Sequence, residues 1–184
     1  MKRIYSLIKS SFLLTLGFIK GGVYLARKKG VTVGENCRIY ILTWGTEPFL
    51  VTIGDRVTIT SGVKILTHDG ATCLIKDESG NRYQRYAPVT IGNDVFIGVN
   101  SIIMPGVNIG NNVIIASGSV VSKNIEDNSV VAGVPAKKIM SFNDYKRKAL
   151  NTFVSDKELT GMSDYQSKVY AAIALQKKKE EELE

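Results

Sequence analysis

Cysteine, proline and histidine are scarce in this chain, and the shortages exclude several classes of protein. The two cysteines, Cys37 and Cys73, form neither a CxxC pair nor a disulfide framework, which fits a reducing compartment or two inert thiols. Four prolines and 17 glycines among 184 residues are too few for a collagen-like or low-complexity chain. Near the N-terminus, the longest uncharged run covers only residues 10–19, which is too short to span a bilayer, and Lys9 interrupts any signal-peptide core.

Positive charge is concentrated at one end of the chain. The net charge of +7 equals the seven Lys and Arg residues of the first 34, which contain no acid, and the remainder carries 17 basic and 17 acidic side chains. Because a nucleic-acid-binding protein usually carries a basic stripe over its folded body, we predict no nucleic-acid partner. Residues 1–30 form a basic amphipathic arm, which we expect to pack on the domain or on a partner subunit; the alternative is an anionic membrane face.

A period of six residues runs through residues 31–140. Aliphatic anchors recur at Ile91, Ile97, Ile103, Ile109, Ile115 and Val121, with the same phase upstream at Ile53, Ile59 and Ile65 and, more weakly, at Val33 and Ile39. An apolar or small residue two positions before each anchor gives the alternation of a short strand, and the small residue after it is expected to allow the next turn. Since one hexad cannot bury a face alone, we predict an all-β solenoid with three hexads per coil and the anchors pointing inward.

The repeat is interrupted twice, and interruptions of a solenoid often carry function. The first lies between residues 39 and 53, which are 14 apart instead of 12, and it contains Trp44 and Glu47. The second is a polar excursion loop, 68–88, which opens with His68, the only histidine. These two segments are therefore the first places to look for a site.

The composition changes after the repeat, and we predict that residues 141–184 form a helical appendage. Ser155 with Glu158, and Ser163 with Gln166, have the spacing of capping boxes at helix N-termini.

The hexads resemble those of a known family. VTIGDR, VTIGND and VNIGNN resemble the repeat of hexapeptide-repeat acyltransferases, in which an aliphatic residue and a glycine precede four variable positions. The stretch GSVVSKNIEDNSVVAGVPAKKI is similar to the closing coil of galactoside, maltose and polysaccharide O-acetyltransferases. The resemblance implies a left-handed parallel β-helix with short terminal helices, acetyl-CoA as the donor without a metal, and a homotrimer with active sites between subunits. It also implies a cytoplasmic protein, with peripheral attachment at the inner membrane face as an alternative.

The resemblance also assigns residues. It places the catalytic base at His68, in the string ILTHDG. The positions that the family uses for acetyl-CoA correspond here to Val99 near the thioester, Ser117, Ser122 and Lys123 along the pantetheine arm, and Lys137 near the phosphates. On the acceptor side the resemblance points to Tyr40 alone, while Trp44, Glu47 and Asp69 are candidate contacts from their residue types and their places in the two interruptions. Asp69 could instead orient the His68 ring. Tyr40 stands where the simple-sugar enzymes have an asparagine, so this chain departs from the family on the acceptor side.

The chemistry of His68 agrees with this assignment. A neutral imidazole, with an ordinary pKa of about 6.5, can accept the proton of a hydroxyl as the bond to an acyl carbon forms. No second histidine is available to activate a cysteine, so we expect direct transfer rather than an acyl-enzyme. The leading hypothesis is transfer of acetyl from acetyl-CoA to a hydroxyl of a sugar or glycan precursor. The alternatives are N-acetylation of an amino-sugar nucleotide, and a non-catalytic solenoid.

Overall fold

The computed structural model describes residues 15–17 and 19–182, in which short strands build three sheets. The strands are β1 (Thr32–Val33), β2 (Arg38–Ile39), β3 (Val51–Ile53), β4 (Thr58–Ile59), β5 (Lys64–Ile65), β6 (Val89–Ile91), β7 (Val95–Ile97), β8 (Ile102–Ile103), β9 (Asn108–Ile109), β10 (Val113–Ile115), β11 (Val120–Val121), β12 (Ser129–Gly133) and β13 (Ala136–Ser141). The first sheet has the order β1-β3-β6-β9, the second β13-β12-β10-β7-β4-β2, and the third β11-β8-β5. From β3 to β11 the chain therefore visits the three sheets in strict rotation.

The register of the strands follows the hexads. Val95 pairs in parallel with Val113, and Ile102 with Val120, so paired residues are 18 positions apart. This offset is three hexads, as the sequence predicts. It rises to 20 between β1 and β3 because of the two-residue insertion, and to 38 between β3 and β6 because of the excursion loop. Both interruptions thus leave the alignment of the sheets intact.

The aliphatic anchors fill the space enclosed by the three sheets. Ile91, Ile97, Ile103, Ile109 and Ile115 are each at most 3% exposed. The prediction that they point inward is confirmed. Because each anchor stacks near the equivalent residue of the next coil, apolar burial is distributed along the whole repeat rather than in one central core.

Glycine after the anchor has a different role from the one predicted. Gly54 is absent from the positions with positive φ; the left-handed turn falls two residues later, at Arg56 (φ 54). A Cβ on Gly54 would lie 2.4 Å from Asn93 Oδ1 and 2.8 Å from the Gly92 carbonyl oxygen of the next coil. Asn93 approaches so closely because its Oδ1 accepts the Asp55 N–H (2.7 Å). Glycine is therefore needed for the close approach of neighbouring coils, and the prediction that it makes the turn is wrong.

Similar side-chain to backbone hydrogen bonds run along this edge of the coils. The accepting side chains belong to Asp55, Asn93, Asn111 and Asp127. Each satisfies a backbone N–H of the preceding coil that no strand partner could reach, which ties successive coils together at a corner.

A short helix precedes the repeat. Helix α1 (Gly22–Lys29) ends at Gly30, which has the left-handed conformation typical of a helix C-terminus. Leu25 and Ala26 on this helix are fully buried. Residues 1–14 and 18 of the predicted N-terminal arm lie outside the described residues. No helix in the described part of the chain is long and apolar enough to cross a membrane.

The chain divides into two compact units, Met1–Met140 and Ser141–Glu184. The second contains helix α2 (Phe142–Thr152), a 3-10 helix (Asp156–Leu159) and helix α3 (Tyr165–Glu181). The predicted capping box of Ser155 and Glu158 is present at the 3-10 helix. The box predicted at Ser163 is wrong by one residue, because Asp164 caps α3 by accepting the Ser167 N–H (2.7 Å).

Candidate active site

The stem of the excursion loop positions His68. His68 directly follows the buried Thr67, three residues after the end of β5, and it forms an antiparallel bridge with Tyr86 at the other end of the loop. The Ala87 N–H donates to the Thr67 carbonyl (2.8 Å), and the Asp69 N–H donates to the Arg85 carbonyl (3.0 Å). The backbone of His68 is therefore held in a paired stem rather than in a free loop. The His68 side chain is 44% exposed.

Glu47 orients the imidazole. His68 Nδ1 lies 2.9 Å from Glu47 Oε2, which also accepts the Thr67 hydroxyl (2.9 Å). Thr46 donates to the other carboxylate oxygen. The hydrogen bond from Thr46, followed by that from His68, lowers the pKa of the Glu47 carboxyl below its ordinary value. An ionised Glu47 accepts a proton-bearing Nδ1 and so leaves Nε2 as the basic nitrogen of the neutral ring.

Two hollows flank this pair. The smaller, of about 180 Å³, is lined by Leu66, His68, Asp69, Gly70, Arg85, Met104 and Pro105. The larger, of about 500 Å³, is lined by Thr46, Glu47, Phe49, Leu50 and Tyr86. The Tyr86 ring, which lines the larger hollow, has its centroid 6.2 Å from that of His68, which lines the smaller one.

The predicted acceptor residues do not form one cluster. Trp44 is only 2% exposed, and its Nε1 has no hydrogen-bond partner among the described residues. This burial corrects the expectation that Trp44 contacts the acceptor, because its ring has no free face. Asp69 lines the hollow of His68, but its Oδ1 accepts the Ala71 N–H (3.0 Å) and caps a 3-10 helix, Gly70–Leu74. Tyr40 is exposed and follows β2, on the turn after the second sheet.

The predicted acetyl-CoA residues lie on two different turns of the coil. Val99 and Ser117 are on the turn after the second sheet, where the Gly118 N–H donates to the Val99 carbonyl (2.8 Å). Ser122 and Lys123 are on the turn after the third sheet, the turn from which the excursion loop leaves in an earlier coil. One chain therefore does not bring all of these side chains to His68.

A third hollow lies near the end of the repeat. Its volume is about 240 Å³, and its lining includes Lys123, Glu126 and Lys138. Lys137, which was predicted to lie near the phosphates, is exposed but is not part of that lining. In the described part of the chain, no group of three or more His, Cys, Asp and Glu side chains could hold a metal ion.

The role of Glu47 is the feature that sequence reasoning missed. It was expected to bind the acceptor, whereas the structure pairs it with the histidine. The available signal was the two-residue insertion that carries it. A lengthened turn next to the excursion loop is a place where a side chain can leave the regular coil.

Comparison with known proteins places this arrangement in a family. The family described as bacterial transferase hexapeptide (six repeats) matches residues 88–123. Protein CapG of Staphylococcus aureus is 48% identical over 136 residues, covering 72% of this chain and 78% of that protein. Galactoside O-acetyltransferase of Escherichia coli (strain K12) is 36% identical over 142 residues, covering 76% of this chain and 68% of that enzyme.

A solved structure agrees with these matches. The maltose O-acetyltransferase from Clostridium difficile 630 is 36% identical, with a TM-score of 0.51 over 61% of this chain and 59% of that one. The repeated coil, its excursion loop and these likenesses define an acyltransferase of the hexapeptide-repeat type. The chain belongs to the bacterial hexapeptide-repeat transferase family.

Proposed function

We propose that this enzyme transfers acetyl from acetyl-CoA to a hydroxyl of a sugar or glycan precursor, with His68 as the general base. The observation that carries the proposal is the Glu47–His68 pair, in which Nδ1 is held at 2.9 Å by a carboxylate while Nε2 has no hydrogen-bond partner among the described residues. The names of the galactoside and maltose O-acetyltransferases support a sugar hydroxyl as the acceptor.

The proposed reaction is a direct transfer. His68 Nε2 accepts the hydroxyl proton as the acceptor oxygen attacks the thioester carbonyl carbon. The carbon–sulfur bond then breaks, and the imidazolium returns the proton to the leaving thiolate, so that the products are the acetyl ester and CoA. Ionised Glu47 stabilises the imidazolium during the step and keeps its ring in place. A backbone N–H at a coil turn, such as that near Val99, is the expected donor to the developing oxyanion.

The exposed residues of the repeat fit an acetyl-CoA site. Val99, Ser117 and Ser122 offer small or backbone groups along the turns, as a pantetheine arm requires, and their side chains face outward. Lys123 and Lys138 border one hollow and supply positive charge for phosphates, with Lys137 next to them. We therefore place the nucleotide end of the donor near the last coil and its thioester near His68.

A homotrimer would complete this site. Val99 and Ser117 lie on the turn after the second sheet, whereas His68 lies on the turn after the third. In a threefold assembly each chain can present one turn to the other turn of its neighbour, so a site between subunits unites the two sets. We further propose that the coil is a left-handed parallel β-helix, as the family membership implies.

For the N-terminal arm we propose packing on the protein. The buried Leu25 and Ala26 of α1 support this for the end of the arm. Attachment of the preceding basic segment to an anionic membrane is the alternative, and vesicle co-sedimentation of the full chain with and without residues 1–14 separates the two. Under both proposals the reaction takes place on the cytoplasmic side, where acetyl-CoA is made.

The His68→Ala variant tests the function. Release of CoA is measured with a panel of neutral, acidic and amino sugars, so the same assay distinguishes a hydroxyl from an amine acceptor. We expect transfer to fall by about 10²- to 10⁴-fold, mainly in kcat, because the base acts in the transition state. CoA binding by calorimetry should be unchanged, since His68 contributes little to the core. A variant that keeps more than about a tenth of the activity would remove His68 from the mechanism.

A further inference from the structure

Arg85 shares the smaller hollow with His68 and is fixed at its base. Its backbone carbonyl accepts the Asp69 N–H (3.0 Å), and the next residue, Tyr86, forms the bridge to His68. The paired stem therefore holds the backbone of Arg85 next to that of His68.

The guanidinium of Arg85 is unpaired within the part of the chain that the structure describes. Arg27 pairs with Glu35 (3.0 Å) and Arg56 with Asp94 (2.7 Å). Among the described residues neither Arg82 nor Arg85 forms an ion pair, and of these two only Arg85 lines the hollow of His68. No hydrogen bond or ion pair of the Arg85 side chain exists among the described residues. A guanidinium carries its charge at all ordinary pH values and offers five donors in a planar fork.

The carboxylates around the site already have partners. Glu47 accepts from Thr67 and faces His68, as described above. Asp69 lines the same hollow as Arg85, but its Oδ1 is taken by the Ala71 N–H at the start of the 3-10 helix. In the excursion loop, the Asp77 carboxylate accepts hydrogen bonds from the side chain and backbone of Asn81, which lower the pKa of its carboxyl. Asp69 keeps its negative charge in this hollow, but none of these carboxylates forms an ion pair with Arg85 among the described residues, so the donors of the guanidinium remain available to a ligand.

We infer that Arg85 recognises an anionic group on the acceptor, a carboxylate or a phosphate, and so makes this enzyme selective for acidic sugars. The inference rests on the proposed acetyl transfer. A hollow of about 180 Å³ admits one end of a sugar rather than a whole ligand, which suits a charged substituent held beside the hydroxyl that faces His68. The planar fork of arginine matches carboxylate and phosphate oxygens in pairs, which orients the acceptor as well as binding it.

Matched acceptors test this inference. Galactose is compared with galacturonic acid, and N-acetylgalactosamine with its 1-phosphate, so the two pairs distinguish a carboxylate from a phosphate. The wild-type enzyme should have the higher kcat/KM for the charged member of at least one pair. Arg85→Gln should lower kcat/KM for that member by about 10- to 10²-fold, the usual value of a charge-assisted hydrogen bond, and change the neutral member by less than about threefold.

Arg82→Gln is the matched control. It removes the same charge from the same loop, but Arg82 does not line the hollow. This variant should keep the wild-type preference, and Arg85→Lys should recover only part of it, because lysine keeps the charge and loses the fork. Equal losses for charged and neutral acceptors, or the same loss in both arginine variants, would overturn the inference.

The same assays separate a missing role of Arg85 from a missing acetyl transfer. A wild-type enzyme that acetylates neutral sugars at least as well as acidic ones would refute the role of Arg85 and leave the acetyl transfer intact. If no acceptor is acetylated, binding of galacturonic acid and of the sugar phosphate is measured directly by NMR titration. Binding that is lost in Arg85→Gln and kept in Arg82→Gln supports the site, whereas binding that is absent or equal in all variants rejects it.

Discussion

The Glu47 carboxylate accepts three side-chain hydrogen bonds at the centre of the site. Its partners are Thr46, Thr67 and His68, and its side chain is only 15% exposed. Because the bonds from Thr46 and His68 hold the pKa of Glu47 below its ordinary value, the carboxylate stays ionised throughout the neutral range. An imidazole held by a fixed anion keeps one tautomer and one orientation, which a solvated histidine would not.

Glu47→Ala should therefore lower kcat by about 10- to 10²-fold, as loss of an orienting partner usually does. Glu47→Gln should lower kcat less than Glu47→Ala does, because its amide oxygen can still accept the hydrogen bond from His68 Nδ1. Steady-state kinetics and CoA calorimetry check this, and CoA affinity should not change. Glu78→Gln, an exposed acid of the same region, is the control. A loss confined to KM, with kcat intact, would mean that Glu47 binds the acceptor instead.

The coil depends on close contact at its glycines as much as on its isoleucines. Backbone and Asx side chains of neighbouring coils fill the space where a Cβ would stand at Gly54, at 2.4 and 2.8 Å. Backbone atoms cannot rotate away as a flexible side chain can, so the coils themselves would have to separate. The hexad glycine is therefore a packing residue.

Gly54→Ala should lower the free energy of unfolding by about 1–3 kcal/mol, the usual cost of overpacking. Gly70→Ala is the matched control, because no atom lies within 4 Å of a Cβ there and its φ is not positive. That substitution should change stability by less than about 0.5 kcal/mol. The free energies of unfolding of both variants are measured by thermal and urea unfolding. Equal values would show that the coils adjust to a methyl group without strain.

Lys179 joins helix α3 of the C-terminal unit to the 3-10 helix and to the end of α2. Lys179 Nζ on α3 lies 2.8 Å from Glu158 Oε1 and donates to the Phe153 carbonyl (2.9 Å). The hydrogen bond from Lys179, together with those from Ser155, lowers the pKa of Glu158 to about 2. A carboxyl whose pKa is lower in the folded state stabilises that state above its unfolded pKa of 4.5 and loses this effect as pH falls towards 2.

Acid titration should therefore loosen this unit of the wild type between about pH 4.5 and 2, and Glu158→Gln should remove most of that dependence. The measurement is the chemical shift of Phe153 and Lys179 by NMR as a function of pH. Glu181→Gln is the control, because its pair with Lys177 is longer (3.8 Å) and exposed. A wild-type profile that matches that of Glu158→Gln would show that the contact does not stabilise the unit.

The predicted donor residues lie on two different turns of the coil, and this separation bears on how chains assemble into the whole molecule. His68 and Ser122 follow the third sheet, and Val99 and Ser117 follow the second. A site built within one chain would leave one of these sets unused. The proposed trimer uses both.

Mixed trimers test this arrangement. His68→Ala and Ser117→Trp should each be inactive alone, the first without a base and the second with a blocked donor site. After joint refolding in equal amounts, about a quarter of the sites should combine an intact His68 with an intact Ser117 from the neighbour, and activity should return. Mixing without refolding is the control. Persistent inactivity of the refolded mixture, with trimers confirmed by sedimentation, would place the whole site within one chain.

The repeat, and the features that follow from counting residues along it, could be predicted from the sequence. Aliphatic anchors every six residues imply three-strand coils, because each hexad repeats the same local strand and turn, and the pairing of Val95 with Val113 follows. The excursion loop and its histidine were recognised for the same reason, as departures from a regular count. The membership of Ser155 and Glu158 in a capping box is equally local.

Contacts between side chains from different interruptions could not be predicted from the sequence. Glu47 and His68 are 21 residues apart in different interruptions, and their contact depends on where two irregular turns leave adjacent coils. The burial of Trp44 and the unpaired charge of Arg85 depend likewise on what neighbouring coils and the loop stem place around them. A period predicts how regular segments stack, but the path of an inserted segment is fixed by packing and hydrogen bonding in three dimensions, which no periodicity encodes.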